Sequence, residues 1–267
     1  MLTPDEILSA ARRLDEAERT RKQIRMLSLD HAGMDMADAY AVQKAWIDMK
    51  VKAGRTVRGH KIGLTSKAMQ LALNIDIPDS GYLLDDMFFA DGATIPTAKF
   101  IGTRIEAELA FVLKTPLEGP DCTIFDVLNA TDYVIPALEI LDTRILRMDP
   151  ETKKTRTIVD TIADNAANCG IVTGGRPIRP DATDLRWLGA IVSKNGAIEE
   201  TGLAAGVLNH PANGVAWLAN RLAAHGGALK AGEIVLAGSF IRPIEARKGD
   251  TIVADYGAYG TVSCYFG

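Results

Sequence analysis

Residues 104–111, Arg104-Ile-Glu-Ala-Glu-Leu-Ala-Phe111, place two glutamates two positions apart in a run that is otherwise apolar. Successive side chains of a strand point to opposite faces, so Glu106 and Glu108 share one face and the apolar residues between them share the other. The glutamate face continues as Ala110 and Val112, which are also apolar. The pattern therefore predicts a buried strand that carries two like charges side by side.

A third glutamate, Glu139, lies in the apolar run 133–141 and is also predicted to be at least partly buried. Two interpretations of the three carboxylates follow from the residues. In the first, each pairs with an arginine such as Arg104 or Arg144. In the second, the three converge on one divalent cation, since buried anions repel one another unless a positive charge compensates them. Because no histidine or cysteine accompanies the acids, the second interpretation favours Mg²⁺ or Mn²⁺ over zinc.

The composition indicates a compact protein that binds a small partner. Of 267 residues, 47% are hydrophobic and 24% are charged, as in average globular proteins. The net charge is -4, and no block of lysine and arginine occurs, which argues against nucleic acid and anionic membranes as partners. Three scattered cysteines, a charged N-terminal stretch and no run of 18 apolar residues predict a cytoplasmic protein that neither spans a membrane nor is exported.

Helix signals dominate the first part of the chain. Thr3-Pro4-Asp5-Glu6 forms a capping-box pattern, which predicts a helix from residue 3 to about residue 23. Helical spacing of apolar residues predicts a second helix from Met36 to Ala53, before Gly54. Residues 1–56 are therefore predicted to form an N-terminal helical segment.

Strand signals dominate residues 57–267, which we predict to be a β-rich catalytic domain. Asn195-Gly196 is typical of a type I′ turn that joins two strands. One helix interrupts this region, beginning near His210-Pro211 and ending before Gly226-Gly227. The predicted fold class is α+β. The nine runs predicted to be strands are GHKIGLTS, ATIPTAKF, EAELAFVL, DYVIPALEIL, NCGIVTGG, LGAIVSKNG, GEIVLAGS, DTIVADYG and GTVSCYFG.

Ordered motifs along nearly the whole chain resemble one protein family. They are the Glu-x-Glu pair, the later glutamate of PALEI, and the segments GHKIGLTSKAMQ, DDMFF, TDYVIPALE, DNAAN and AAGVLNHPANGVAWLAN. Together they resemble the hydratase and decarboxylase branch of the fumarylacetoacetate hydrolase superfamily. The resemblance implies a mixed β-roll or barrel core with flanking helices, and Mg²⁺ or Mn²⁺ bound by Glu106, Glu108 and Glu139.

The resemblance also implies an activity and an assembly. The expected reaction is the addition of water to an unsaturated seven-carbon 2-oxo dicarboxylate in the degradation of homoprotocatechuate. Alternatives are the hydration of 2-hydroxypenta-2,4-dienoate, the decarboxylation of 4-oxalocrotonate, or a silent subunit that assembles with an active relative. A homo-oligomer built from rings of five subunits, a pentamer or decamer, is expected, with possible association with a decarboxylase relative.

Two residues are candidates for proton transfer. Lys61 lies in a short predicted strand between glycines, where burial near a cation is expected to lower its pKa. Asp79, in Ile77-Pro-Asp-Ser-Gly81, matches an acid that family members carry in a loop, and it could orient or deprotonate the attacking water. The carbon-carbon hydrolases of the superfamily use a histidine just before the Glu-x-Glu pair. No histidine occurs between residues 61 and 209, which disfavours hydrolysis.

Candidate substrate-binding residues come from the same resemblance. Asn165 with its neighbour Asp164, and Ser239, match positions where relatives present polar groups to the substrate. A second substrate carboxylate would require a guanidinium, which Arg242 or Arg144 could provide. The sequence does not distinguish these two arginines.

Overall fold

The computed structural model describes residues 1–67, 70–71 and 77–267. None of the helices in these ranges has the length and apolar composition of a membrane span. The helices are α1 (Pro4–Thr20), α2 (Leu27–Asp30), α3 (Met36–Lys52), α4 (Ile124–Ala130), α5 (Ile158–Ala163) and α6 (Pro211–Ala223). The strands are β1 (Val57–Gly63), β2 (Asp79–Leu84), β3 (Phe88–Ala90), β4 (Ala93–Ile95), β5 (Arg104–Leu113), β6 (Thr131–Leu141), β7 (Asn168–Thr173), β8 (Gly189–Lys194), β9 (Ala197–Leu203), β10 (Ile234–Leu236), β11 (Ile244–Glu245), β12 (Thr251–Asp255) and β13 (Thr261–Phe266).

The strands form two mixed sheets. The larger sheet has the order β2-β1-β10-β5-β6-β7-β3, with β11 paired to β5, and the smaller has the order β4-β13-β12-β8-β9. Strands β2 and β7, far apart in the strand order, contact each other, so the larger sheet curls around its inner face. This architecture confirms the predicted α+β class and the mixed β-roll with flanking helices.

The main hydrophobic core lies on the outer face of the curled sheet. There Ile105, Leu109 and Phe111 of β5 pack with residues of the second sheet and of α6. A smaller apolar cluster occupies the inner face and includes Leu83, Ala110, Ala137, Ile171 and Leu236. Ala110 continues the face of β5 that carries Glu106 and Glu108, so the two glutamates lie on the inner face, beside this cluster.

Residues 1–56 contain α1, α2 and α3, and the first strand begins at Val57. Thr3 caps α1 with the predicted capping box. The two long helices pack against α5 through Leu14, Trp46 and Ile162. The predicted division of the chain at residue 56 stays a prediction.

Most predicted elements are present. All nine predicted strand segments contain strands, and Asn195-Gly196 joins β8 to β9 with positive φ at both residues. The sequence prediction missed the helices α2, α4 and α5 and the strands β2, β3 and β11. Strand β2 begins at Asp79 and pairs with β1, although Pro78 and Ser80-Gly81 are typical of a turn.

A fully buried ion pair joins the segment after β6 to the segment after α5. The guanidinium of Arg144 donates from Nε to Oδ1 of Asp164 at 2.5 Å and from Nη2 to the Asp164 carbonyl oxygen at 2.6 Å. Burial of the carboxyl raises the pKa of Asp164, whereas the Arg144 charge opposes that rise. Arg144 therefore belongs to a structural ion pair and does not neutralise the three glutamates.

Replacing Arg144 with methionine should strongly destabilise the fold, because it leaves the Asp164 carboxyl buried without a partner. We expect a loss of about 3–5 kcal/mol in the free energy of unfolding, measured by urea denaturation. Arg179→Met is the control, since that exposed arginine pairs with Asp181 on the surface and should cost at most about 1 kcal/mol. Equal losses in the two variants would contradict a structural role for the buried pair.

Candidate metal centre and active site

Strand pairing brings the three predicted glutamates together. In the antiparallel pairing of β5 with β6, Glu106 lies directly opposite Glu139, and Glu108 follows two residues later on the same face of β5. Each glutamate offers a carboxylate oxygen, and these three oxygens lie within 4.8 Å of one another. Glu108 and Glu139 are fully buried, whereas Glu106 keeps some exposure. The geometry is that of a group able to hold one metal ion.

The hydrogen bonds of the three carboxylates are incomplete. Glu108 Oε2 accepts from the Gly238 N–H at 2.9 Å. By contrast, Glu108 Oε1 and both carboxylate oxygens of Glu139 are buried without any hydrogen-bond partner. Oxygens that are buried, unpartnered and close together fit a hard divalent cation, which prefers oxygen ligands. The residues present therefore fit the implied metal.

The electrostatics of the three carboxylates agree with this geometry. Burial, reinforced by repulsion from Glu139, raises the pKa of Glu106 to about 8. Burial and the same kind of repulsion also raise the pKa of Glu108 well above its ordinary value. Within the described residues, no arginine forms an ion pair with any of the three glutamates. The interpretation in which each glutamate pairs with an arginine is therefore wrong.

Lys61 is the cation that faces the three carboxylates. It is buried in β1, with Nζ 3.4 Å from Oε1 of Glu139 and donating to the Ala166 carbonyl oxygen at 3.1 Å. Burial by itself would lower the pKa of Lys61. In the metal-free chain the charges of Glu139, Asp79, Glu106 and Glu108 outweigh burial and raise the pKa of Lys61, whereas the sequence-based expectation concerns Lys61 beside a bound cation and stays a prediction.

Asp79 lies beside Lys61 at the start of β2. Gly63 lies against both side chains, since a Cβ atom added to it would be 2.2 Å from Asp79 Oδ1 and 3.0 Å from Lys61 Nζ. Asp79 is buried, its Oδ1 has no hydrogen-bond partner, and burial raises the pKa of its carboxyl against the opposing charge of Lys61. The two candidate proton-transfer groups are therefore neighbours, and glycine is required between them.

The three remaining candidates have different surroundings. The Asn165 side chain accepts from the Tyr82 N–H at 2.7 Å and donates to the Tyr82 carbonyl oxygen at 3.0 Å, so it holds β2 in place. Ser239 follows Gly238, and its hydroxyl donates to the Ile241 carbonyl oxygen at 2.9 Å. Arg242 is exposed and pairs with Glu200 at 2.6 Å. Their predicted contacts with substrate stay predictions.

Two backbone groups in the site have no signal in the sequence. Residues 165–167 all have positive φ, with 51° at Ala166, and this unusual run presents the Ala166 carbonyl to Lys61. Gly238 has φ of 120°, and a Cβ there would lie 2.2 Å from Thr65 Oγ1, so glycine allows its N–H to approach Glu108. Motifs of side chains do not reveal such backbone contacts.

Comparison with known proteins identifies the family. The chain is 62% identical over 256 residues to 2-oxo-hept-4-ene-1,7-dioate hydratase of Escherichia coli, which covers 96% of each protein. It is 38% identical over 265 residues to 4-oxalocrotonate decarboxylase of Pseudomonas sp. (strain CF600), covering 99% of this chain and 98% of that protein. The chain belongs to the hydratase and decarboxylase branch of the fumarylacetoacetate hydrolase superfamily.

A solved structure of the same branch has the same fold. The 4-oxalocrotonate decarboxylase from Pseudomonas putida G7, complexed with magnesium and adipate, superposes with a TM-score of 0.94 at 36% identity, covering 100% of this chain and 99% of that chain. Fumarylpyruvate hydrolase from Pseudomonas aeruginosa, in complex with Mn²⁺ and pyruvate, shares the fold at a TM-score of 0.58 and 13% identity. No model of a protein family matches the chain.

Replacing Glu139 with glutamine should abolish magnesium binding, because the central carboxylate loses its charge. Loss of a group that only orients a metal ligand costs about 10- to 100-fold in affinity, so loss of a ligand should cost more than that. Calorimetric titration with Mg²⁺ measures the effect, and Glu245→Gln on the exposed surface is the control. Wild-type affinity in the Glu139 variant would contradict the proposed ligand set.

Magnesium affinity should depend on pH because protons compete for the same oxygens. The pKa of Glu106 in the metal-free chain is raised to about 8, so this carboxyl is largely protonated below pH 8 and ionised above it. We expect affinity to fall as the pH is lowered from 8.5 to 6.5, by up to about tenfold per pH unit for each proton released. Titrations across this range test the prediction, and constant affinity would contradict it.

Proposed function

We propose that this chain hydrates 2-oxo-hept-4-ene-1,7-dioate, which also exists as 2-hydroxyhepta-2,4-diene-1,7-dioate, to 4-hydroxy-2-oxoheptane-1,7-dioate. The single observation that carries the proposal is the convergence of Glu106, Glu108 and Glu139 beside Lys61 and Asp79. The 62% identity to the Escherichia coli hydratase supports this substrate over the others of the branch. The chain is accordingly a hydro-lyase, acting in the meta-cleavage degradation of homoprotocatechuate.

The implied cofactor is Mg²⁺, or Mn²⁺ in its place, held by the three glutamates. When bound there, such an ion supplies positive charge that polarises the 2-oxo group of the substrate. Lys61 already places one positive charge near Glu139, but a single lysine leaves the other carboxylates uncompensated. The net anionic character of the site supports a divalent ion over a monovalent one.

The dienol is first protonated at C5 and loses its enol proton, which gives the conjugated 3-en-2-one. Water addition then places a hydroxyl on C4 and a proton on C3. Asp79 is suited to accept the proton released by the attacking water, because its Oδ1 is unpartnered and burial raises the pKa of its carboxyl. Lys61, kept charged by its neighbours, is suited to deliver the proton to the carbon chain. Since both groups flank Gly63 without touching each other, the proton can return from Asp79 to Lys61 through one water.

The Ala166 carbonyl and Glu139 hold Lys61 from two sides. A lysine has three donors, and only the one directed at the Ala166 carbonyl makes a hydrogen bond within the chain, so N–H groups remain for the substrate. The remaining donors support proton transfer from Lys61 to the carbon chain of the substrate, in addition to its ion pair with Glu139. Holding Lys61 in this way also gives the positive φ run at residues 165–167 a function.

Product analysis tests the proposed reaction. The purified chain, with Mg²⁺, is incubated with 2-hydroxyhepta-2,4-diene-1,7-dioate, and mass spectrometry measures the water adduct while CO₂ release is followed in parallel. The proposal predicts the adduct without CO₂. In a separate incubation, release of CO₂ from 4-oxalocrotonate would support the decarboxylase alternative, and turnover of 2-hydroxypenta-2,4-dienoate alone would support the shorter substrate. No turnover, together with restored activity of a mixed relative, would support a silent subunit.

Lys61→Ala should lower kcat by roughly 10²- to 10⁴-fold, the range for loss of a general acid-base group. Magnesium affinity should be unchanged or higher, because the substitution removes a cation from beside Glu139. Steady-state kinetics and calorimetry measure the two quantities, and Lys44→Ala, at an exposed lysine that pairs with Asp48, is the control. A rate near that of the wild type would exclude Lys61 from proton transfer.

We further propose that the chain assembles into a pentamer or decamer, as the family resemblance implies. Exposed apolar side chains such as Trp187 and Ile198 are available for subunit contacts. Light scattering of the purified protein measures the assembly.

A further inference from the structure

Three arginines near the acidic triad lack an acidic partner. Arg104 is the first residue of β5, on the same face as Glu106 and two residues from it, which is about 7 Å along a strand. Arg147 and Arg156 lie opposite each other at the base of the loop 147–156, where the Arg156 N–H donates to the Arg147 carbonyl oxygen at 3.0 Å. The chain therefore brings together three guanidinium-bearing residues from two elements.

Arg156 lies next to the segment that contacts Lys61. Its Nη1 donates to Thr143 Oγ1 at 2.5 Å, and the same hydroxyl donates to Asp164 Oδ2 at 3.1 Å. Two residues after Asp164, the Ala166 carbonyl accepts the hydrogen bond from Lys61. The charge of Arg156 also acts on Asp79. Burial raises the pKa of the Asp79 carboxyl, and the charge of Lys61 and, more weakly, that of Arg156 oppose the rise.

The three arginines repel one another. Burial, followed by the charges of Arg156 and Arg104, lowers the pKa of Arg147 to about 10. Burial, followed by repulsion from Arg144 and Arg104 against the attraction of Asp164, also lowers the pKa of Arg156. Strand pairing gives the geometric reason: Arg104 lies opposite Leu141 at the end of β6, and two residues later Thr143 accepts the hydrogen bond from Arg156.

In residues 1–67, 70–71 and 77–267, no acidic side chain pairs directly with this cluster, although Asp164 attracts Arg147 and Arg156 from farther away. Arg144 and Arg242 each have a carboxylate within 4.0 Å. In the same ranges, no carboxylate lies within 4.0 Å of Arg104, Arg147 or Arg156. Partly buried like charges are unfavourable unless an anion joins them. A carboxylate is a suitable anion, since planar guanidinium groups bind it through paired hydrogen bonds.

We propose that Arg104, Arg147 and Arg156 bind the carboxylate of the substrate that is remote from its 2-oxo group. The proposal rests on the proposed function, in which the 2-oxo end lies at the three glutamates. Five carbon-carbon bonds separate C2 from the remote carboxylate carbon, a span of about 6 Å in an extended chain. This span is comparable to the separation of Arg104 from Glu106 along β5. The cluster thereby selects dicarboxylates over monocarboxylates.

Binding of two matched ligands tests the proposal. 2-Oxoheptanedioate and 2-oxoheptanoate are unreactive here and have the same chain length, but only the first carries a remote carboxylate. Calorimetry with Mg²⁺ present should show that the wild type prefers the diacid by roughly 10- to 100-fold, the range for hydrogen bonds to a charged group. In Arg147→Gln and Arg156→Gln the preference should fall toward one, while affinity for the monoacid changes by less than about twofold.

Arg179→Gln is the matched control and should keep the full preference, since Arg179 pairs with Asp181 on the surface. Because Arg147 is exposed, its variant is expected to fold, and thermal unfolding and Mg²⁺ binding check both variants. Equal affinity of the wild type for the two ligands, or equal losses for both in the variants, would overturn the proposal. A wild type that prefers the diacid but does not hydrate the dienol diacid would refute the proposed reaction and leave the carboxylate site standing.

Discussion

Repulsion between buried carboxylates is the constraint on which the site depends. Glu106 and Glu139 face each other across β5 and β6, and Glu108 lies beside them, on a sheet face that otherwise packs apolar side chains. Such an arrangement is unfavourable unless positive charge enters it. Lys61 supplies one charge, and the oxygens left without hydrogen bonds indicate where a divalent ion supplies the rest. In the metal-free chain the same carboxylates raise the pKa of Lys61.

The scaffold positions these charges largely with its backbone. Gly63 lets Asp79 approach Lys61, and Gly238 brings its N–H to Glu108. The Ala166 carbonyl reaches Lys61 through three consecutive residues with positive φ. Each such conformation costs of the order of 1–3 kcal/mol, and the packed segments around it maintain it. The rigid pairing of β5 with β6 and these backbone contacts together preorganise the site before substrate binds.

The arginines near the site fall into two groups with different physical roles. Arg144 is fully buried and bound to Asp164, so its charge is used within the fold. Arg104, Arg147 and Arg156 are less buried and have no carboxylate partner among the described residues, so their charge is available to a ligand. A hydratase that accepts a dicarboxylate requires a cation at each end of its substrate. In the proposed arrangement the metal at the three glutamates serves the 2-oxo end and the arginine cluster serves the remote carboxylate, while Arg144 stays paired with Asp164 in the core.

By itself the sequence determined the fold class, the capped helices at Thr3 and His210, the Asn195-Gly196 turn, and the shared face of Glu106 and Glu108, because each depends on residues close in the chain. The residues left open whether Glu139 joins Glu106 and Glu108, and the family resemblance favoured one site that also includes Lys61 and Asp79. Only the tertiary structure decided that Asp79 begins a strand, that Arg144 serves Asp164, and that the Lys61 pKa is raised. Those outcomes depend on contacts between distant segments, and electrostatic effects of that kind act through space and not along the sequence.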